Sequence, residues 1–129
     1  MAKSKSKPAV STGTSAVLIV DDELILAKTL SQFLERQGCR THVCHTAQEA
    51  MQLLKTSAFD VILTDLELPD TQGLDFIHYL RKTAHASRII VLTAHPSLEA
   101  VDSSDNIHNI KHLQKPFDLD TLWAAIFAD

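Results

Sequence analysis

Three runs of apolar, largely β-branched residues each end in groups able to do chemistry. Val17-Leu18-Ile19-Val20 stops at Asp21-Asp22, Val61-Ile62-Leu63-Thr64 at Asp65, and Ile89-Ile90-Val91-Leu92 at Thr93. A fourth, weaker run, Ile110–Leu113, leads into Lys115-Pro116-Phe117. Short runs without polar alternation suit strands covered on both faces. Between them the apolar period changes. Leu24, Ala27, Leu30, Phe33 and Leu34 recur at helical spacing up to Gly38, which suits a C′ residue. Arg40–Cys44 reads as another short strand. Thr46-Ala47-Gln48-Glu49 has the form of a capping box opening a helix through Ala50, Leu53 and Leu54. A further helix carries Leu74, Ile77 and Leu80 and ends near His85. Pro96–Asn109 is expected to start as a helix, made short or frayed by Asp102-Ser103-Ser104-Asp105-Asn106. Asp118 caps a closing helix with Leu119, Leu122, Trp123 and Ile126. Five strands alternating with five helices predict an α/β fold, a doubly wound parallel sheet crossed by right-handed connections.

Composition adds limits rather than direction. The chain has 129 residues, 45% hydrophobic and 22% charged, in the range of one globular domain. The net charge is −4, yet Lys3, Lys5 and Lys7 stand near the start with no acid beside them, so the remainder is more acidic still. An acidic body disfavours the nucleic-acid backbone as a direct partner. Residues 1–15, rich in Ser, Thr and Lys, read as a disordered basic tail, and residues 16–129 as one domain. The tail lacks the apolar core of a signal peptide and no apolar stretch could span a membrane, so a cytoplasmic location is expected. Cys39 and Cys44, an odd number of residues apart around a strand, should point to opposite faces and stay unpaired. No zinc site is expected among the scattered histidines, and Trp123 is expected in the core.

In a parallel sheet the strand C-termini share one edge, where such folds place their sites. Asp21, Asp22, Asp65, Thr93 and Lys115 would therefore converge. Carboxylates, a hydroxyl and an ammonium together suit a divalent cation and an incoming phosphoryl group. Crowded acids without a metal should also raise one another's pKa values.

In order and spacing these residues resemble the receiver domain of bacterial two-component response regulators. The likeness covers about residues 16–128. It rests on Asp21-Asp22 after the first strand, the Asp65-to-Gly73 loop with Leu68-Pro69, Thr93-Ala94, and Lys115-Pro116-Phe117. The resemblance implies a flavodoxin-like strand order 2-1-3-4-5 with Asp65 as phosphoacceptor. It implies Mg²⁺ (or Mn²⁺) held by Asp22, Asp65 and the backbone carbonyl of Glu67, with Asp21 acting through metal-bound water. Lys115 and Thr93 would bind the phosphoryl oxygens. The donor would be a sensor histidine kinase or a phosphotransfer protein, and the receiver of the signal another protein or an output domain. The peptide before Pro116 would be cis. Two departures stand out. His112 occupies the position of the family's switch aromatic, and imidazole is smaller and titrates near neutral pH. His108-Asn109 replaces the usual Gly-Ala pair. Glu67 and His95 should flank the entrance for attacking water and tune the lifetime of the phosphoaspartate.

Two other functions compete with the switch. A degenerate receiver would bind partners without phosphorylation, which the full acidic set, Thr93 and Lys115 argue against. An aspartyl-phosphate phosphohydrolase would use similar groups, but its nucleophile follows the first strand as D-x-D, where this chain has Asp21-Asp22-Glu23.

Overall fold

The computed structural model describes residues 15–72, 74–84, 86–94 and 110–127. The strands are β1 (Ala16–Val20), β2 (Arg40–Cys44), β3 (Val61–Asp65), β4 (Arg88–Thr93) and β5 (Ile110–Gln114). The helices are α1 (Leu24–Arg36), α2 (Ala47–Leu54), α3 (Asp75–Thr83) and α4 (Leu119–Phe127). The described residues thus hold four helices where five were expected. The other expected helix, over Pro96–Asn109, lies outside them, as do residues 1–14 of the tail, Gly73, His85 and His95.

All neighbouring strands pair in parallel, in the order β2-β1-β3-β4-β5. The chain leaves β1 toward β2 and returns on its other side as β3, so β1 and β3 flank the switch point of the sheet. The alternation of side chains along each strand builds two cores. Val17, Ile19, Val61, Leu63, Ile90 and Leu92 pack beneath α1 and α4. Leu18, Val20, Ile62, Ile89 and Val91 pack beneath α2 and α3. β1 and β3 are buried at every position, as their unbroken apolar runs required. β5, with Lys111, His112 and Gln114, is only half-buried, because it ends the order of described strands.

Several local signals are realised at atomic detail. Gly38 adopts φ 98°, and the end of α1 closes as a Schellman motif: the Cys39 N–H donates to Leu34 O at 3.0 Å and the Gly38 N–H to Glu35 O at 3.0 Å. Thr46 Oγ1 accepts from the Glu49 N–H at 3.1 Å. The reciprocal bond of the box is shifted by one residue, since Glu49 Oε1 accepts from the His45 N–H at 2.7 Å. Asp118 Oδ1 accepts from the Thr121 N–H at 2.8 Å and caps α4 as expected. Among the described residues Cys39 and Cys44 form no disulfide; both are buried, and they belong to opposite cores. Trp123 is half-buried rather than fully enclosed. It is wedged between Phe33, perpendicular at 6.1 Å, and Phe127 at 4.3 Å.

No helix among the described residues is long and apolar enough to cross a membrane.

Candidate functional site

Parallel pairing delivers the strand ends to one edge, and hydrogen bonds beyond the strands hold them there. The Asp21 N–H donates to Cys44 O at 3.0 Å, Leu66 N–H to Leu92 O at 3.1 Å, and Lys115 N–H to Thr93 O at 2.8 Å. Asp65 and Thr93 are the last residues of β3 and β4 rather than the first loop residues after them. Both are therefore held by the sheet itself. The peptide between Lys115 and Pro116 is cis, as the resemblance implied.

Asp21 is wholly buried, and each of its polar groups has a partner. Its Oδ1 accepts from the Glu23 N–H at 2.9 Å and its Oδ2 from Lys115 Nζ at 3.2 Å. Its backbone carbonyl accepts from His45 Nδ1 at 2.9 Å, which fixes that ring nitrogen as the protonated one. Neither His45 nor Glu23 had been singled out from the sequence. Asp65 is oriented from two sides: Oδ1 accepts from the Glu67 N–H at 3.0 Å and Oδ2 from Lys115 Nζ at 3.2 Å. Lys115 also reaches Glu23 Oε1 at 3.0 Å. Asp22 is exposed and completes a group of three carboxylates.

The electrostatics follow from burial. Desolvation is the largest influence on Asp21 and raises its pKa. The Glu23 N–H and the Lys115 ammonium oppose the rise, and the nearby Asp65 charge adds to it. Repulsion between acids, the cause expected from the sequence, is thus the smaller contribution here. For Lys115, desolvation favours the neutral amine, but the bond to Glu23 and the charges of Asp21 and Asp65 outweigh it. Its pKa rises, so it is fully protonated at physiological pH.

The donor set suits a hard divalent cation. One ligand oxygen from each of Asp21, Asp22 and Asp65 can be chosen so that all lie within 4.8 Å of one another. Two oxygens on one Mg²⁺, each at about 2.0–2.1 Å, are at most about 4.2 Å apart. A separation within 4.8 Å therefore suits ligation of one cation by these carboxylates, directly or through a metal-bound water. Glu67 is exposed, and its N–H is engaged by Asp65. Thr93 is buried at the end of β4. His112 is half-buried and paired in register with Val91; by strand alternation it shares the face of Ile110, on the α3 side of the sheet.

The loop after Asp65 carries a second anchor that sequence spacing alone did not reveal. Asp70 Oδ1 accepts from the Ala47 N–H and Oδ2 from the Gln48 N–H, both at 2.9 Å. One carboxylate from this loop thus satisfies two orphan donors at the start of α2, where the helix dipole also favours an anion. Slight burial favours the neutral acid, but those N–H groups outweigh it and hold the carboxyl below the usual carboxylate range. Replacing Asp70 by Ala is expected to cost about 1–2 kcal/mol in urea unfolding at pH 7. The difference between the proteins should vanish as pH falls through the lowered folded value of Asp70, where its charge is lost.

A doubly wound sheet that gathers three carboxylates and a lysine at one edge has the donor set to hold a divalent cation beside an anionic group. The family model for the response regulator receiver domain matches residues 17–127, and the chain belongs to that family. Among curated proteins it is 24% identical over 110 residues to sporulation initiation phosphotransferase F of Bacillus subtilis, covering 85% of this chain and 89% of that one. It is 34% identical over 105 residues to the response regulator protein PilR of Pseudomonas aeruginosa, but this match covers 81% of this chain and 24% of PilR. The chain spans about a quarter of PilR and 49% of the transcriptional regulatory protein YkoG of Bacillus subtilis. Among solved structures, a response regulator of Burkholderia pseudomallei with a phosphorylated aspartic acid, a calcium ion and citrate superposes with TM-score 0.76 at 29% identity. That superposition covers 88% of this chain and 67% of the other. A CheY-like receiver domain protein from Methanospirillum hungatei superposes with TM-score 0.79 at 27% identity, covering 88% and 90%.

Proposed function

We propose that this receiver domain is a phosphoacceptor switch of a two-component system, with Asp65 as the phosphorylated residue. The observation that carries the reading is the Lys115 ammonium, 3.2 Å from Asp65 Oδ2, beside the carboxylates of Asp21 and Asp22. A carboxylate oxygen of Asp65 forms the new bond to phosphorus. The donor's P–N bond (a phosphohistidine) or P–O bond (an acyl phosphate) breaks, and its electron pair leaves with the donor. Lys115 offsets charge on the transferring oxygens, and the Glu67 N–H keeps the carboxylate from rotating away. Mg²⁺, held by Asp22, Asp65, the Glu67 carbonyl and, through water, Asp21, would neutralise the charge of nucleophile and phosphoryl group together.

The Thr93 hydroxyl can then donate to a phosphoryl oxygen, and a bond of this charged kind, worth about 1.5–3 kcal/mol, can shift Thr93 between two positions. His112 stands on β5 as the candidate responder to that movement. The Burkholderia pseudomallei protein with its phosphorylated aspartic acid supports the reading by likeness. The donor is a sensor histidine kinase or phosphotransfer protein, the site of action the cytoplasm, and the output a partner protein or an additional domain.

Acetyl phosphate with Mg²⁺ is expected to add one phosphoryl group per chain by intact mass, and EDTA to abolish the addition. Continuous hydrolysis of a phosphomonoester without a stoichiometric adduct would instead identify a phosphohydrolase. An unmodified chain at saturating donor and metal would identify a receiver that works without phosphorylation.

A further inference from the structure

An ammonium group has three protons to donate, and those of Lys115 face three carboxylates: Asp21 Oδ2 at 3.2 Å, Asp65 Oδ2 at 3.2 Å and Glu23 Oε1 at 3.0 Å. The shortest of these bonds goes to the partner in contact with water. The Glu23 side chain is 58% exposed, against 0% for Asp21 and 9% for Asp65. Glu23 is also the N-cap residue of α1, and its side chain makes no capping bond. The carboxylate is committed to Lys115 instead of to its own helix.

We infer that Glu23 is a positioning residue that holds the Lys115 ammonium in the resting site and releases it when a phosphoryl group arrives, and so slows phosphoryl acceptance. The inference rests on the reading of Asp65 as phosphoacceptor. A phosphoryl oxygen can reach Lys115 only by displacing one of its three acceptors. Asp21 is the costly one to displace, because a buried carboxylate left without its cation has no water to turn to. Glu23 is the cheap one, because its carboxylate rehydrates in place. The Asp65 carboxylate keeps its negative charge until the new bond to phosphorus forms, so it still holds Lys115 while the donor approaches. Glu23 is therefore the group that yields, and the strength of its bond adds to the barrier.

The test is a double-mutant cycle read by the rate constant of labelling with acetyl phosphate at saturating Mg²⁺, using Glu23→Gln, Lys115→Met and both together. Glu23→Gln is expected to label about two- to fivefold faster than wild type, the range of a partly exposed ion pair. In the Lys115→Met background the same change is expected to have no effect. An unchanged or slower rate for Glu23→Gln overturns the inference. So does an equal acceleration with Lys115 absent, which would be a general charge effect on the anionic donor. Should Lys115→Met fold poorly or fail to label, ¹⁵N relaxation of the Lys115 ammonium decides: greater mobility in Glu23→Gln than in wild type is expected, and equal mobility overturns the inference. Absence of labelling in the wild type contradicts the phosphoacceptor reading itself, whereas normal wild-type labelling with an indifferent Glu23→Gln removes only the role of Glu23.

Discussion

Lys115→Met is expected to unfold about 3 kcal/mol more easily than wild type at pH 7. The ammonium is the cation that two buried carboxylates share, 3.2 Å from Asp21 and 3.2 Å from Asp65. Methionine fills the space but leaves both acids uncompensated away from water, and removing one partner of a buried ion pair typically costs about 3–5 kcal/mol. The lower end applies because Glu23 and Asp22 stand in solvent. The loss should shrink as the solution is acidified. Burial already raises the Asp21 pKa, opposed in part by Lys115, so the variant raises it further. A carboxyl whose folded value lies above its unfolded one makes folding more favourable as pH falls through that value, because the folded state takes up the proton first. Urea unfolding at neutral and mildly acid pH measures both effects. A difference below about 0.5 kcal/mol at pH 7 would show that the ammonium is not the cation these acids depend on.

Asp65→Asn is expected to abolish phosphoryl labelling while keeping the fold. The amide has no anionic oxygen to attack phosphorus, and it removes one of the carboxylates that a cation would need. The substituted side chain is close in shape to the original, so the β1–β3–β4 pairing and the two cores should persist, and the far-ultraviolet circular dichroism should match wild type. Labelling of the mutant at the wild-type rate and stoichiometry would place the acceptor elsewhere, Asp21 and Asp22 being the nearest alternatives.

How much of this was visible in the amino-acid order follows from the range of the interactions. Strands covered on both faces must be apolar at every position, so Val17–Val20 and Val61–Leu63 announced themselves and their ends located Asp21 and Asp65. Helix termini are local too, and Gly38, Thr46 and Asp118 cap as their types and spacing suggest. Glu23 was hidden because its partner stands 92 positions away, and nothing in the local pattern distinguishes a capping acid from one turned toward a distant lysine. Asp70 was hidden for the same reason: its carboxylate serves the helix that precedes it in the chain, across 23 positions. His45 gave no sign because its bond runs to a backbone carbonyl, which has no residue identity. The half-burial of β5 was foreshadowed by Lys111, His112 and Gln114 interrupting its apolar run. The expectation that crowding among acids would govern their titration missed the larger influence, the depth at which Asp21 lies.

The position of the phosphoryl group itself is the most direct measurement. After incubation with acetyl phosphate and Mg²⁺, borohydride reduction converts a phosphorylated aspartate to homoserine, which tandem mass spectrometry locates in the chain. Homoserine at position 65 and at no other acidic residue is the expected result. Homoserine at 21 or 22, or none in a protein that has gained mass, would contradict it.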